Sequence, residues 1–154
     1  MQIDDLKNVP QYLLPLADWH QAQWQSLNPG QSLQQRIDKM QAYLNDDFIP
    51  TTFVASDQKL LGSAAIVQCD MEIRSQLTPW LASVYVDETK RCQGVGSRLV
   101  RHVMQQAAKQ GVERLYLYTP DQQDFYNKLG WQELEQVEYH GVKVCIMQVD
   151  LVFL

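Results

Sequence analysis

The sequence predicts a mixed α/β fold in which helices flank a central sheet of parallel and antiparallel strands. Three observations lead to this class: helical periodicity in the first third, β-branched and aromatic runs in the middle, and a strand–helix–strand succession after them. A strand–helix–strand unit implies a parallel pair with a right-handed crossover, whereas the hairpins at either end are antiparallel. The predicted order is α-α-β-β-β-α-β-α-β-β, with a possible short strand at the N-terminus.

Two helices are predicted before the first hairpin. The first covers Pro10 to Gln25, where Pro15 should bend the helix or mark its true start. The triplet Asn28–Gly30 ends it. Ser32 is a plausible N-cap for the second helix, because apolar residues then recur at helical spacing. These residues are Leu33, Ile37, Met40 and Leu44.

Three strands are predicted in the middle of the chain. Thr51–Ser56 and Leu60–Cys69 are rich in β-branched and apolar residues and flank a polar turn, so we expect a hairpin. The third strand, Pro79–Val86, is apolar on both faces, which is typical of a strand at the centre of a sheet.

The last half continues with a helix to about Gln110, for which Gly111 is a C-cap candidate. A strand at Glu113–Thr119 and a short helix at Asp121–Leu129 come next. The chain then forms two strands around a turn at His140–Gly141.

Composition indicates one globular domain covering residues 1–154. The chain is 45% hydrophobic with a formal net charge of −5, which argues mildly against nucleic-acid binding. No apolar run approaches the roughly 20 residues that span a bilayer, and the first residues lack the pattern of a signal peptide. The spacing of the three cysteines, Cys69, Cys92 and Cys145, matches no metal pattern. We therefore expect a cytoplasmic protein that binds neither a membrane, nor nucleic acid, nor a metal.

The stretch Lys90–Met104, KRCQGVGSRLVRHVM, places two glycines and two cations at the start of the predicted helix. Unpaired N–H groups at a helix N-terminus attract anions, and glycines let the backbone approach a phosphate. The alternative is an ordinary tight turn. The P-loop pattern is absent, and so is the third glycine of the dinucleotide fingerprint.

A different phosphate loop fits better. Arg91–Gly96 reads R-x-x-G-x-G after a strand, and Phe125–Trp131 reads F-Y-x-x-x-G-W on the next strand–helix unit. Together these motifs resemble the GCN5-related N-acetyltransferase (GNAT) family, whose acyl-CoA pyrophosphate loop carries the first pattern. The predicted order of elements is also similar, so the resemblance covers most of the chain.

The resemblance implies a binding mode for acetyl-CoA. In this family the pantetheine arm enters a split beside the central strand and pairs with the strand backbone, while the loop amides surround the pyrophosphate. Cys92 departs from the family, which most often has glycine there. The implied cofactor-binding residues are Val84, Tyr85, Val86, Arg91, Cys92, Gln93, Gly94, Val95, Gly96, Ser97, Phe125 and Tyr126.

The resemblance also implies catalytic roles. The Val86 N–H matches the donor to the developing oxyanion, and Tyr126 matches the tyrosine that protonates the departing thiolate. The competing interpretation of Tyr126 is simple packing against the sheet.

The group that deprotonates the amine is left open by the residues. Glu72 is our candidate catalytic base, with a solvated edge residue as the competing interpretation, and Asp70, Tyr85 and Asp87 are further candidates. The histidines are weaker ones: His102 is expected on an exposed helix face, and His140 in a turn.

The implied function is direct transfer of an acetyl group from acetyl-CoA to a primary amine of a small molecule or peptide. The first two helices and the last hairpin are expected to form the acceptor groove. The alternative is a non-catalytic acyl-CoA sensor of the same fold. The last hairpin could also pair with a neighbour in a homodimer.

Overall fold

A computed structural model describes the whole chain, residues 1–154, as a seven-stranded sheet with helices on both faces. The strand order across the sheet is β1-β2-β3-β4-β5-β7-β6. The strands are β1 (Gln2–Asp5), β2 (Thr51–Ser56), β3 (Leu60–Val67), β4 (Trp80–Val86), β5 (Arg114–Thr119), β6 (Gln132–Tyr139) and β7 (Val142–Asp150). The helices are α1 (Leu13–Trp24), α2 (Leu33–Ala42), α3 (Val95–Lys109) and α4 (Gln123–Asn127).

The predicted fold class and element order are confirmed, including the short N-terminal strand. β4 is the central strand, and it pairs in parallel with β5, while every other pair in the sheet is antiparallel. Ser32 caps α2 through a capping box with Gln35. Pro15 lies in the first turn of α1, where its missing N–H removes no helical hydrogen bond.

The two faces of the sheet are covered by different helices. On β2, Phe53 and Ala55 belong to the cluster under α3, whereas Val54 between them packs with residues of α1 and α2. Since successive side chains of a strand point to opposite faces, α3 covers one face and the α1–α2 pair covers the other.

The expectation that His102 lies on an exposed face of α3 is wrong. Its ring is half-buried, with its centroid 4.9 Å from that of Phe53. The spacing of the large aliphatic residues underestimates the buried surface of α3, because the helix lies over three strands, β2, β3 and β4.

β4 and β5 are joined only at one end. Their single aligned pair is Trp80–Tyr116, supported by a hydrogen bond of 3.1 Å from the Tyr116 N–H to the Pro79 carbonyl. Beyond this pair the two strands separate, and we call the resulting space the β4–β5 split. It opens toward the carboxyl ends of both strands, where ligands of open α/β sheets commonly bind.

A β-bulge bends β4 at the same point. Ser63 lies opposite Tyr85 and Ala65 opposite Ala82, so two residues of β4, Ser83 and Val84, face the single intervening residue of β3. Ser83 takes the left-handed conformation with φ of +54°. The bulge turns β4 away from β5, which accounts for the split.

Gly62 allows β3 to follow this bend. A Cβ atom at this position would lie 2.4 Å from the Tyr85 carbonyl oxygen, a contact with backbone that cannot move aside easily.

None of the helices is long and apolar enough to cross a membrane.

Candidate active site

The glycine loop, Arg91–Ser97, connects β4 to α3 and presents a row of free amides. The first helical bond runs from Arg98 N–H to the Gly94 carbonyl at 3.1 Å, and the N–H groups of residues 92–97 make no hydrogen bond within the protein. Gly94 is the N-cap, with φ of +85°, and the first turn of α3 has no acidic residue. A helix N-terminus with unpaired donors and no competing carboxylate is suited to an anion.

Residues predicted for the cofactor site from distant parts of the sequence come together at Gly96. A Cβ built on Gly96 would lie 3.4 Å from Phe125 Cζ and 3.5 Å from Val86 Cγ2. The loop, the end of β4 and helix α4 are therefore in contact around one point. Glycine at this point keeps the space between them open.

The backbone of Val86 faces the β4–β5 split. The Asp87 N–H donates to the Leu61 carbonyl at 2.8 Å, so the aligned pair Val86–Gly62 is a non-hydrogen-bonded one. The N–H and C=O of Val86 consequently point away from β3, toward β5. This is the orientation that a donor to a group inside the split requires.

Arg91 folds back over the end of β4. Its Nε donates to the Val86 carbonyl at 3.0 Å, and its guanidinium lies 5.3 Å from the centroid of the Tyr85 ring. The Tyr85 ring in turn packs against Trp19 and Trp24 of α1. Arg91 thus places a positive charge at the entrance of the split, on the side of the glycine loop.

Cys92 occupies a backbone conformation that favours glycine. Its φ is +63°, and the residue is exposed, as is Gln93 beside it. A non-glycine residue in this region is strained by about 1–2 kcal/mol. The departure from the usual loop sequence therefore leaves the loop geometry in place at some cost in stability.

Tyr126 lies in α4, with its ring centroid 5.0 Å from that of Phe125 and 6.1 Å from that of Trp131. The residue is 8% exposed, its hydroxyl makes no hydrogen bond within the protein, and that oxygen is not sealed from solvent. Burial raises the pKa of Tyr126, so the hydroxyl stays protonated at neutral pH. It is a proton donor without a hydrogen-bond partner within the protein.

Glu72 lies in a single helical turn before β4 and faces solvent, with its side chain 70% exposed. It accepts a hydrogen bond from the Tyr139 hydroxyl and lies 3.6 Å from His140 Nε2. The hydrogen bond from Tyr139 is the main reason that the pKa of Glu72 is lowered. A carboxylate with a lowered pKa is a weak base.

Asp70 lies in a more enclosed setting. It lines a small pocket on the α1–α2 face of the sheet, which we call the α1–α2 pocket and which reaches the bulge residue Ser83. Burial raises the pKa of Asp70 to about 7, and the negative charge of Glu72 raises it further, while Lys39 and Arg36 act in the opposite direction. The residues that line the pocket include His20, Arg36, Lys39, Tyr43, Asp70 and Ser83.

A buried polar chain ties the pocket to the bulge. Ser63 Oγ donates to the Ser83 carbonyl at 3.0 Å, so His20 Nε2, at 2.9 Å, is the donor to Ser63 Oγ. Burial lowers the pKa of His20 to about 3, so the ring is neutral. These two hydrogen bonds fix the carbonyl of Ser83, the residue of β4 with the left-handed conformation.

Sequence reasoning missed Arg36, Lys39, Ser63 and Ser83, and it ranked His20 only among the weaker candidates for the base. One signal was available. Arg36 stands between Leu33 and Met40 on the apolar stripe of α2, where a charged residue is unusual. The side chains of the described chain form no group of three or more His, Cys, Asp or Glu that could hold a metal ion.

Comparison with solved structures finds the same fold in acetyltransferases. An aminoglycoside 6'-N-acetyltransferase complexed with coenzyme A superimposes with a TM-score of 0.78 at 18% identity, covering 99% of this chain and 98% of that one. The Enterococcus faecium aminoglycoside 6'-N-acetyltransferase gives a TM-score of 0.76, 18% identity, and coverage of 99% and 98%. The yncA protein of Salmonella typhimurium, with its cofactor acetyl-CoA, gives 0.72, 15% identity, and coverage of 98% and 94%.

None of the curated protein sequences matches at a significant level. The model of the acetyltransferase (GNAT) family matches residues 13–131, which include α1, the β4–β5 split, the glycine loop and α4. The chain therefore belongs to the acetyltransferase (GNAT) family, whose acetyl donor is acetyl-CoA.

Proposed function

We propose that this protein transfers an acetyl group from acetyl-CoA to a primary amine by direct attack, in a single domain that covers residues 1–154. The observation that carries the proposal is the row of unbonded amides at residues 92–97, which lies beside a split in the sheet. A diphosphate fits the amides, and an extended arm fits the unpaired edge of β4. Two proteins with this fold, one complexed with coenzyme A and one with acetyl-CoA, support the choice of ligand.

In this proposal the backbones of Val84 and Val86 pair with the pantetheine arm, Tyr85 between them pairs its backbone with Ser63 of β3, and Arg91–Ser97 hold the pyrophosphate. Phe125, in contact distance of Gly96, packs against the arm where it leaves the loop. The thioester carbonyl then lies in the split, in reach of the Val86 N–H. That donor stabilises the oxyanion that forms when the carbonyl carbon becomes tetrahedral.

The amine nitrogen attacks the carbonyl carbon, the carbon–nitrogen bond forms, and the carbon–sulfur bond breaks. The Tyr126 hydroxyl gives its proton to the departing sulfur, which leaves as the thiol of coenzyme A. Its raised pKa keeps that proton available through neutral pH.

The amine must lose one proton, and we assign its acceptor to Asp70 rather than Glu72. Asp70 lines the pocket that ends at the bulge, and its pKa of about 7 suits a base that works near neutral pH. Glu72 is exposed and already accepts a hydrogen bond from the Tyr139 hydroxyl. The amine enters from the α1–α2 face, opposite the face that α3 covers.

Binding is tested with Gly96→Glu. A carboxylate at this point would face the diphosphate, and we expect acetyl-CoA affinity to fall at least about 100-fold. In the wild type, acetyl-CoA at a hundredfold excess over its Kd should raise the free energy of unfolding by about 2.7 kcal/mol. The matched control is Gln105→Glu, which adds the same charge on the exposed side of the same helix.

Titration calorimetry and thermal unfolding measure both effects. Unchanged affinity in Gly96→Glu would refute the loop assignment. Acetyl-CoA binding without thiol release, over a broad panel of amines, would refute the enzyme and favour a sensor of the same fold.

A further inference from the structure

Arg36 is a buried cation that forms no ion pair, although the Asp70 carboxylate lies in the same pocket. It is 8% exposed, and no carboxylate oxygen of the chain lies within 4.0 Å of its guanidinium. Its Nε donates to Gln21 Oε1 at 3.1 Å and its Nη2 to Gln31 Oε1 at 3.0 Å, both neutral amide oxygens, while its Nη1 makes no hydrogen bond within the protein. A buried charge is costly unless an opposite charge accompanies it, so an anionic ligand would stabilise this guanidinium.

The other residues that line the pocket do not balance the positive charge of Arg36. It lines the α1–α2 pocket together with Lys39, which also makes no ion pair, and Asp70 is the only carboxylate among the lining residues. His20 is neutral and adds no negative charge. The pocket thus holds two cations against one anion, and the anion is lost once Asp70 has accepted a proton.

A guanidinium is shaped to bind an oxyanion through two parallel N–H donors, and carboxylates and phosphates both match it. A polycation would meet the opposite situation, because two fixed positive charges line the pocket. An amine with an oxyanion would place its nitrogen near Asp70 and its negative charge on Arg36.

Building on the function proposed above, we propose that the acceptor is an amine that also carries an oxyanion, held by Arg36 with Lys39 at the pocket mouth. An amino acid or an aminoalkyl phosphate has this chemistry. Arg36 is then a specificity-determining residue of the acceptor site, and the enzyme discriminates against polyamines.

The test compares amines that differ only in the oxyanion. The probes are the common amino acids against their carboxamides, and phosphoethanolamine against ethanolamine, with spermidine and kanamycin as polycations. Thiol release from acetyl-CoA gives kcat and KM for each. We expect kcat/KM to be at least tenfold higher for the oxyanion-bearing member of the best pair, and the pair that responds separates carboxylate from phosphate as the recognised group.

Two variants locate the recognition. Arg36→Gln should lower kcat/KM for the oxyanion-bearing amine at least tenfold, chiefly through KM, and change that of its neutral partner less than threefold, with partial rescue in Arg36→Lys. Since Arg36 also links Gln21 and Gln31, Arg36→Gln could fail to fold. The exposed Lys39→Gln avoids this problem and should lower the preference at least threefold, while Lys109→Gln, at the far end of α3, should not change it.

The outcomes separate this inference from the function on which it rests. Loss of acetyl-CoA binding or of all turnover in the wild type would overturn both. Equal or better acetylation of the neutral or polycationic amines would overturn the acceptor inference alone and leave the acetyltransferase in place, and so would an oxyanion preference that Lys39→Gln leaves unchanged.

Discussion

The two sides of the candidate active site, the glycine loop and the α1–α2 pocket, are built in different ways. The side formed by the glycine loop offers the unbonded backbone amides of residues 92–97, and its geometry follows from one helix N-terminus. The α1–α2 pocket is lined by residues of α1, α2, β2, β3, the segment after β3, and β4. A ligand common to a family can be held by backbone, whereas a ligand particular to one member has to be distinguished by side chains.

The contrast predicts that substitutions on the two sides separate binding of the donor from use of the acceptor. The predictions below run from the largest expected effect to the smallest. Each of them would weaken the contrast if it failed.

Tyr126→Phe is expected to lower kcat about 100-fold, because it removes the proton that the departing sulfur takes. Acetyl-CoA affinity should stay within about twofold, since the Tyr126 hydroxyl makes no hydrogen bond in the chain whose loss would disturb the fold. Steady-state thiol release and calorimetry measure the two quantities, with Tyr12→Phe as the control. Unaltered kcat at every pH would make Tyr126 a packing residue.

Asp70→Asn is expected to lower kcat/KM at pH 7.5 by at least about tenfold. In the wild type, kcat/KM should rise with pH through about 7, as the Asp70 carboxyl loses its proton, and the variant should lack this dependence. Glu72→Gln is the comparison, and we expect less than about a threefold change. If Glu72→Gln removed the acid limb and Asp70→Asn did not, the base would be Glu72.

The same substitution should affect stability in the opposite direction. The folded chain holds the Asp70 proton up to a pH of about 7, whereas an unfolded aspartate releases it near 4, so Asp70 ionisation destabilises the fold as pH rises through that window. Asp70→Asn should therefore raise Tm at pH 8 and leave it nearly unchanged at pH 3. A lower Tm at pH 8 would contradict the raised pKa.

Ser63→Ala is expected to lower the free energy of unfolding by about 1–3 kcal/mol, because it leaves the buried His20 N–H without an acceptor. It also removes the donor to the Ser83 carbonyl, so kcat should fall severalfold as the bulge loosens. Denaturant unfolding and kinetics give both values. Ser56→Ala is a buried serine control without a side-chain hydrogen bond, expected within about 0.5 kcal/mol of wild type. Equal losses of unfolding free energy in the two variants would mean that the hydrogen bonds linking His20, Ser63 and Ser83 have no special role.

Cys92 substitutions should have the smallest effect. Cys92→Gly should keep acetyl-CoA affinity within about twofold, because glycine adopts the same φ and leaves the loop geometry unchanged. The relief of backbone strain in the folded state should be offset by the greater freedom of glycine in the unfolded state, so the free energy of unfolding should change little. Cys92→Val should lower the free energy of unfolding by about 1–2 kcal/mol, since a β-branched residue is poorly accommodated there. Similar stability of both variants would mean that the loop relaxes in solution.

The sequence could predict the side made of backbone far better than the other. Arg91, Gly94 and Gly96 indicate the loop once they are taken together with the second motif, Phe125–Trp131, and the strand–helix order that surrounds them follows from periodicity. The left-handed φ of Cys92 and Ser83 could not be predicted, because nothing local demands it of a cysteine or a serine. It is imposed by the helix entry in one case and by strand pairing in the other.

The acceptor side depended on tertiary structure. Asp70 and Glu72 stand two positions apart in one polar stretch, yet one is enclosed and the other is solvated, and only packing decides which. Arg36 gave a local signal on the apolar stripe of α2. Its meaning appeared once the pocket beside it was found to hold two cations, Arg36 and Lys39, and a single carboxylate, Asp70.

The single aligned pair between β4 and β5 leaves the two halves of the seven-stranded sheet joined at only one end of these strands. A molecule that lies along the free edge of β4 would act as a removable extra strand and bridge the halves. Binding should then be visible in hydrogen exchange: the amides of β4 and β5 would exchange more slowly together when acetyl-CoA is bound and faster together after it departs.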